Sequence, residues 1–468
     1  MREHDTPLID ACRHGRIANV LALLSAGVDV NQPKTDGRGA TPLFIAAQHG
    51  HMQVIDTLLA AGADADRPIF DGGTPLYMAA QEGHVAAVVA LLGAGARVDG
   101  GRRAGGGTPL FIASLQGNVE VMAVLLAAGA HADVAVEGRT PVFWASQHGQ
   151  TDVLTALLAA GACVEGAERS DGATPLVAAA INGHAETIAA LLAAGAEVDP
   201  ILRQPREGDD ALDDTATPLF LACIEGHADV VCELLTAGAA IDWSARDDRI
   251  TPLMVASQQG HLEVATALLE AGAAFHSVDA VGRTAMSLAC GNGQLACAQL
   301  LSSYGAPRIF MMPSENRTAE GVATEEGHEA VAAWLGESRQ WSTPLHHLRI
   351  IAVARARELL RGGADIHAAT SAGGPTPLSL ARALRAAGDP DADEGSAASL
   401  VLAAAEPWGP RTHALFPDAA RSFAVEVLLL GHQLSRQPKF AGEEVSLVDV
   451  WTQLVMPSAV VRRPIRSG

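Results

Sequence analysis

The 468-residue sequence predicts an all-α solenoid of stacked helix-turn-helix units with projecting loops, followed by a short helical C-terminal cap. Three observations lead there. A threonine–proline pair opens unit after unit, at Thr41, Thr74, Thr108, Thr140, Thr174, Thr217 and Thr251. A glycine follows each of these threonines by nine residues, from Gly50 and Gly83 through to Gly260. A second glycine closes each unit, as in Leu58-Leu59-Ala60-Ala61-Gly62-Ala63.

Each signal has a physical cause. Thr41 is a good N-cap, and Pro42 sits at the first helical position, where its missing N–H costs nothing. Leu43, Ala46 and Ala47 then share a helical face, with alanines small enough for a close neighbour. Gly50 ends the helix because glycine takes the left-handed cap without strain. A second helix follows with Val54, Ile55, Leu58 and Leu59 inward, and Gly62 ends it. One such unit cannot bury its own apolar faces; stacked copies can.

In chain order, the first unit opens at Thr6. With Arg2, Glu3, Arg13 and Arg16 it reads as a polar N-terminal cap. The loop at 199–216 is lengthened and carries Asp209, Asp210, Asp213 and Asp214, a solvated acidic excursion. A further regular opening follows at Thr284 and weaker ones at Thr318, Thr343 and Thr376, twelve in all, and the units diverge from about residue 307. The eleventh is one residue short at its interhelical turn. The twelfth opens that turn with a second acidic run, 389–394. The array therefore spans 1–406. Residues 407–468 form a C-terminal helical block, with an apolar stripe at Ala420, Phe423, Ala424, Val427 and Leu428 and a second helix from Glu443 to Met456. That block is expected to dock on the uncovered face of the last unit.

A period of about 33 residues with T-P-L, a mid-unit G-H and a closing L-L-x-x-G-A resembles the ankyrin repeat. One departure is consistent. The histidine usual after T-P-L occurs only as His346; elsewhere stand Phe44, Tyr77, Phe111, Phe143, Phe220 or smaller residues. An aromatic there should add buried area in place of a threonine–histidine hydrogen bond. The resemblance implies a non-enzymatic scaffold for protein–protein interaction, expected to be a monomer, binding its partner on a concave surface. Carried onto this sequence, loop tips supply Phe70, Arg102, Arg103, Arg169, Trp243 and Arg246. First-helix ends supply Gln81, Gln116, Gln147, His148, Ile224 and Gln258. The alternative is a substrate adaptor of a ubiquitin ligase with 407–468 as recruiting segment, although the Leu-Cys pair and Leu-Pro-rich segment of a SOCS box are not found there.

Composition narrows the partners. A formal charge of −21 argues against nucleic acid or an anionic membrane surface. No apolar run is long enough to span a bilayer. Six cysteines without a C-x-x-C pattern read as free thiols of a reducing compartment, which places the chain in the cytoplasm with the nucleus as the alternative. No catalytic motif is found, and no cofactor or metal is expected. Gly291-x-Gly293-x-x-Ala296 has the letters of a dinucleotide fingerprint, but falls on a helix-to-helix turn. Asp389-x-Asp391-x-Asp393 begins like a calcium loop, but Leu400 stands where the bidentate glutamate is needed. His51, His84, His184, His227, His261 and His328 recur once per unit after the glycine, so they read as structural residues joining neighbouring units.

Overall fold

A computed structural model describes residues 6–34, 38–101, 106–166, 172–204, 214–244, 248–311, 316–338, 343–349, 351, 353–369, 375–405 and 415. Of the expected features, Arg102, Arg103, Arg169 and Arg246 lie outside the described residues, as does the C-terminal block apart from Leu415. The chain forms two compact bodies, Met1–Asp247 and Asp248–Gly468.

The N-terminal body holds seven helix pairs. The first helices run Pro7–Arg13, Pro42–Gln48, Pro75–Gln81, Pro109–Gln116, Pro141–Gln147, Pro175–Ile181 and Pro218–Glu225. Each begins as expected: Thr41 Oγ1 accepts from the Phe44 N–H at 3.2 Å, and Thr74, Thr108, Thr140, Thr174 and Thr217 cap in the same way. Such caps stabilise by about 1 kcal/mol apiece. The second helices, such as Met52–Ala60 and Thr151–Ala159, bury Val54, Ile55 and Leu58 or Val153, Leu154 and Leu157. Leu59, expected inward, is only half-buried.

The small-residue column holds throughout. Ala46, Ala79, Ala113, Ala145, Ala179, Ala222 and Ala256 are all buried. The aromatics after T-P-L add buried area at Phe44, Tyr77, Phe111 and Phe143, while Phe220 is half-buried. The first repeat is less polar than a cap should be: Leu21 on its second helix, Ile17–Ser25, is 51% exposed.

The repeating histidines join successive repeats by a specific bond. His51 Nε2–H donates to the Arg13 carbonyl at 3.0 Å, His84 to Gln48 at 3.2 Å, His184 to Gln147 at 3.2 Å and His227 to Ile181 at 3.0 Å. Where histidine is missing an amide replaces it. Asn118 Nδ2 donates to the carbonyls of Ala80 and Gln81, and Gln150 Nε2 to that of Leu115. The acceptors lie at the end of the preceding repeat's first helix, where carbonyls have no intrahelical partner.

Two loops contain regular structure that sequence alone did not suggest. At the base of the long loop, Leu202–Gln204 pairs antiparallel with Asp214–Ala216, Leu202 opposite Ala216. Those two residues are buried against Val177 and Leu221, so the insertion is anchored by a small apolar cluster. In the C-terminal body, the stretch after Pro307 that broke the repeat pattern pairs Ile309–Met311 with Asn316–Thr318. Ile309 and Phe310 are of the β-branched and aromatic types that favour a pleated strand.

The C-terminal body repeats the pattern with Pro252–Gln259, Leu262–Glu270, Ala285–Gly291, Leu295–Ser303, Ala319–Glu325 and Glu329–Glu337, then departs from it. The eleventh repeat was expected to be one residue short at its turn. Its first helix is also reduced to one 3-10 turn, Pro344–His346, before Val353–Arg361. His346 makes the expected threonine–histidine bond, Nδ1 to Thr343 Oγ1 at 2.8 Å, and its Nε2 reaches the Pro375 carbonyl at 3.2 Å. In the twelfth repeat, Pro377–Ala386 and Ala397–Ala404 flank the acidic run. Asp389 accepts from the Asp391 N–H and pairs with Arg349 at 2.5 Å, so it serves as cap and ion-pair partner. Leu415 is buried in the core formed by Leu348, Leu360, Leu378 and Val401.

The cysteines divide cleanly. Cys12, Cys223, Cys290 and Cys297 are buried, whereas Cys163 and Cys232 are exposed. Burial pushes the thiols of Cys12 and Cys290 up to about 12 and that of Cys297 up to about 11. Since the thiolate is the reactive form, the native chain should show two fast-reacting thiols with a disulfide reagent at pH 8 and six after denaturation. A third fast thiol in the native state would contradict this packing.

Candidate functional site

The inner face of the first helices in the N-terminal body is where the repeats leave surface open. Two residues before each mid-repeat glycine stands a half-buried side chain: Gln48, Gln81, Leu115, Gln147, Ile181 and Ile224. One residue later stands an exposed one: His49, Glu82, Gln116, His148, Asn182 and Glu225. Both rows follow from the fold, because the remaining positions of each first helix are taken by its neighbours and by its own second helix. The inner row is apolar at Leu115, Ile181 and Ile224.

The fifth repeat breaks the pattern. Its fourth helical residue is Trp144, where other repeats have buried Ile45, Met78, Ile112 and Leu221. An indole is too large for that slot, so Trp144 stays half-buried and builds a cluster around itself. Phe111 meets it edge-on with ring centres 6.5 Å apart, and His148 stacks on it at 5.8 Å and 11°. The Arg139 guanidinium lies 5.1 Å from the Phe143 ring and 5.5 Å from the Trp144 ring. Such cation–π contacts contribute about 0.5–1 kcal/mol at exposed sites. The Trp144 Nε1–H and the Oε1 atoms of Gln147 and Gln81 are buried without a hydrogen-bond partner.

The expected binding residues are distributed as follows. His148 stacks on Trp144, Gln147 stands on the inner row of the same helix, and Gln81, Gln116 and Ile224 lie on the inner and outer rows of other repeats. Phe70 stands at a loop tip, 85% exposed, its backbone N–H donating to the Arg38 carbonyl of the preceding loop. Trp243 is not a free tip: it packs edge-on against Phe220 at 5.8 Å. Gln258 belongs to the C-terminal body, where its carbonyl accepts from Gln294. Sequence reading passed over Trp144 and Arg139. The signal was present, a tryptophan in a column of aliphatic residues with an arginine before the capping threonine.

The C-terminal body has a cavity of about 460 Å³ beside the shortened eleventh repeat, lined by Trp334, His347, Leu348, Leu380 and Leu384 among others. Behind it runs a buried polar chain. Arg308 donates to the Ser338 carbonyl at 2.9 Å and to Ser302 Oγ at 2.8 Å, and Ser302 Oγ bonds His347 Nε2 at 3.2 Å. Burial, with the Arg308 charge and His346 adding to it, lowers the His347 ring to about 3. The native state therefore holds His347 neutral, while the unfolded chain takes up a proton below about pH 6.5. Stability of the C-terminal body should fall as pH drops through that window, by about 2 kcal/mol between pH 7 and 5 from this residue. Denaturant midpoints of the native chain and His347→Gln at the two pH values test this. An equal pH dependence in both would rule it out.

Among the described residues no cluster of histidine, cysteine, aspartate or glutamate could hold a metal ion, and no helix is long and apolar enough to cross a membrane.

Stacked helix pairs, capped by Thr-Pro and joined through mid-repeat histidines, define a repeat protein whose open surface is the inner first-helix face. The family model for ankyrin repeats (three copies) matches residues 8–102, 43–135, 99–166, 163–247, 202–279 and 253–343, and the chain belongs to that family. Among solved structures it is similar to the human ASB11 ankyrin repeat domain, with 29% identity over 50% of this chain and 99% of that one and a TM-score of 0.42. No curated protein sequence matches it. Ankyrin repeats indicate a protein–protein interaction scaffold, and proteins of this family are generally non-enzymatic.

Proposed function

We propose that the chain is a protein-binding scaffold whose partner lies along the inner first-helix face of the N-terminal body, from the third repeat to the seventh. One observation carries this: Trp144 is half-buried where repeats two, three, four, six and seven bury Ile45, Met78, Ile112, Ala178 and Leu221, and it packs with Phe111 and His148 beside the half-buried Leu115 and Gln147 positions of the inner row. Tryptophan, tyrosine and arginine dominate binding energy at interfaces, clustered near the centre of the contact. Phe70 extends the same surface at a loop tip.

Proximity labelling in cells with the intact chain and with Trp144→Ala tests the proposal. The variant should fold, because Trp144 is not a core side chain, and should lose the strongest labelled partners by tenfold or more. An unchanged set of partners would move the binding surface elsewhere. Recovery of ligase subunits that depends on residues 407–468 would favour the adaptor role.

A further inference from the structure

The Trp144 corner has a chemistry that narrows the partner. Arg139 is half-buried, its guanidinium over two rings, and no carboxylate among the described residues pairs with it. An arginine placed on aromatic faces is partly stripped of water yet keeps its outward N–H groups, which suits it to a planar anion. Beside it, on one helix face, are a donor with no acceptor and an acceptor with no donor, the Trp144 Nε1–H and Gln147 Oε1. A second acceptor of the same kind, Gln81 Oε1, lies on the inner row of the third repeat. Buried polar atoms without partners are costly to leave so, and a ligand that meets them once the side chains turn outward relieves that cost. The segment that offers alternating N–H and C=O groups is an extended polypeptide main chain. Between these groups, Leu115 provides a half-buried apolar contact.

We infer that the surface formed by Arg139, Trp144, Gln147 and Leu115 binds an extended peptide segment of the partner, placing an aspartate or glutamate on Arg139 and an adjacent apolar side chain against Leu115 and the indole. This rests on the scaffold reading above and deepens it. The carboxylate pairs with the guanidinium, and, as the Trp144 and Gln147 side chains turn toward the peptide, the indole N–H donates to a main-chain carbonyl and a main-chain N–H donates to Gln147 Oε1. The net charge of −21 repels a long acidic run, so the segment carries one or two carboxylates.

A library of random linear peptides displayed on phage and selected on the intact chain tests this without knowing the partner. Selected peptides should share an aspartate or glutamate next to an apolar residue. As synthetic peptides they should bind Arg139→Gln about tenfold more weakly, with the thermal melt unchanged. Arg139→Lys should keep part of the affinity, and Arg139→Glu should select basic peptides in place of acidic ones. Peptides that depend on Trp144 but show no acidic preference, or bind Arg139→Gln equally, would overturn the inference and leave the scaffold reading standing. Selected peptides indifferent to Trp144→Ala, Gln147→Ala and Arg139→Gln alike, or no selection at all, would overturn both.

Discussion

Gly149→Ala should be among the most damaging single-methyl changes in this chain. Gly149 has φ +65°, a left-handed conformation that costs a residue with a Cβ about 1–2 kcal/mol. A methyl group there would also lie 2.5 Å from Nδ1 of His184. The ring must move, and its bond to the Gln147 carbonyl, worth about 0.5–1.5 kcal/mol, goes with it. Gly161 separates the two effects. Its φ is +87°, but a Cβ there meets nothing within 4 Å, so Gly161→Ala carries only the backbone cost. Urea denaturation should show Gly149→Ala less stable than Gly161→Ala by about 1–2 kcal/mol. Equal loss in both would mean that the histidine contact contributes nothing to the coupling of repeats five and six.

Ala145→Leu should have a comparable effect by a different route. Ala145 is almost fully buried in the column of small residues, and the neighbouring first helices leave no room for three more carbons. Overpacking of this kind costs about 1–3 kcal/mol. In a linear array the cost falls on one interface between neighbours, so the melt of the N-terminal body should broaden or split. Gln147→Leu, two residues on, is the control. It removes the side-chain amide oxygen Oε1, which has no hydrogen-bond partner, and leaves the main-chain carbonyl that meets His184, so the melt should stay level or rise slightly. Equal melting points for the two variants would mean the helix faces are assigned wrongly, and the proposed binding residues would fall with them.

The repeat boundaries were legible in the sequence because their causes are local. A threonine that caps, a proline that starts and a glycine that stops a helix act within four or five residues. The small-residue column and the joining role of the histidines followed from period alone. Trp144 was harder. A tryptophan inside Pro141-Val142-Phe143-Trp144-Ala145 reads as core, and only its size against Ile45 or Met78 in the same column shows that it cannot be. Trp243, expected at a loop tip, packs edge-on against Phe220, a contact between loop and helix that no local pattern announces. The strand pairs at 202–216 and 309–318 and the loss of the eleventh repeat's first helix depend on what neighbouring repeats offer, information that no window of the sequence contains.

That lost helix has a mechanical meaning. Elsewhere in the C-terminal body a first helix of seven or more residues lies between its neighbours, so separating two repeats means breaking a whole layer of contact at once. At Pro344–His346 the layer is three residues thick, secured by the His346 ring to Thr343 and Pro375. Under tension along the chain, this should be the link of the C-terminal body that yields at the lowest force, and a pulling experiment in which another repeat of that body gives way first would contradict it.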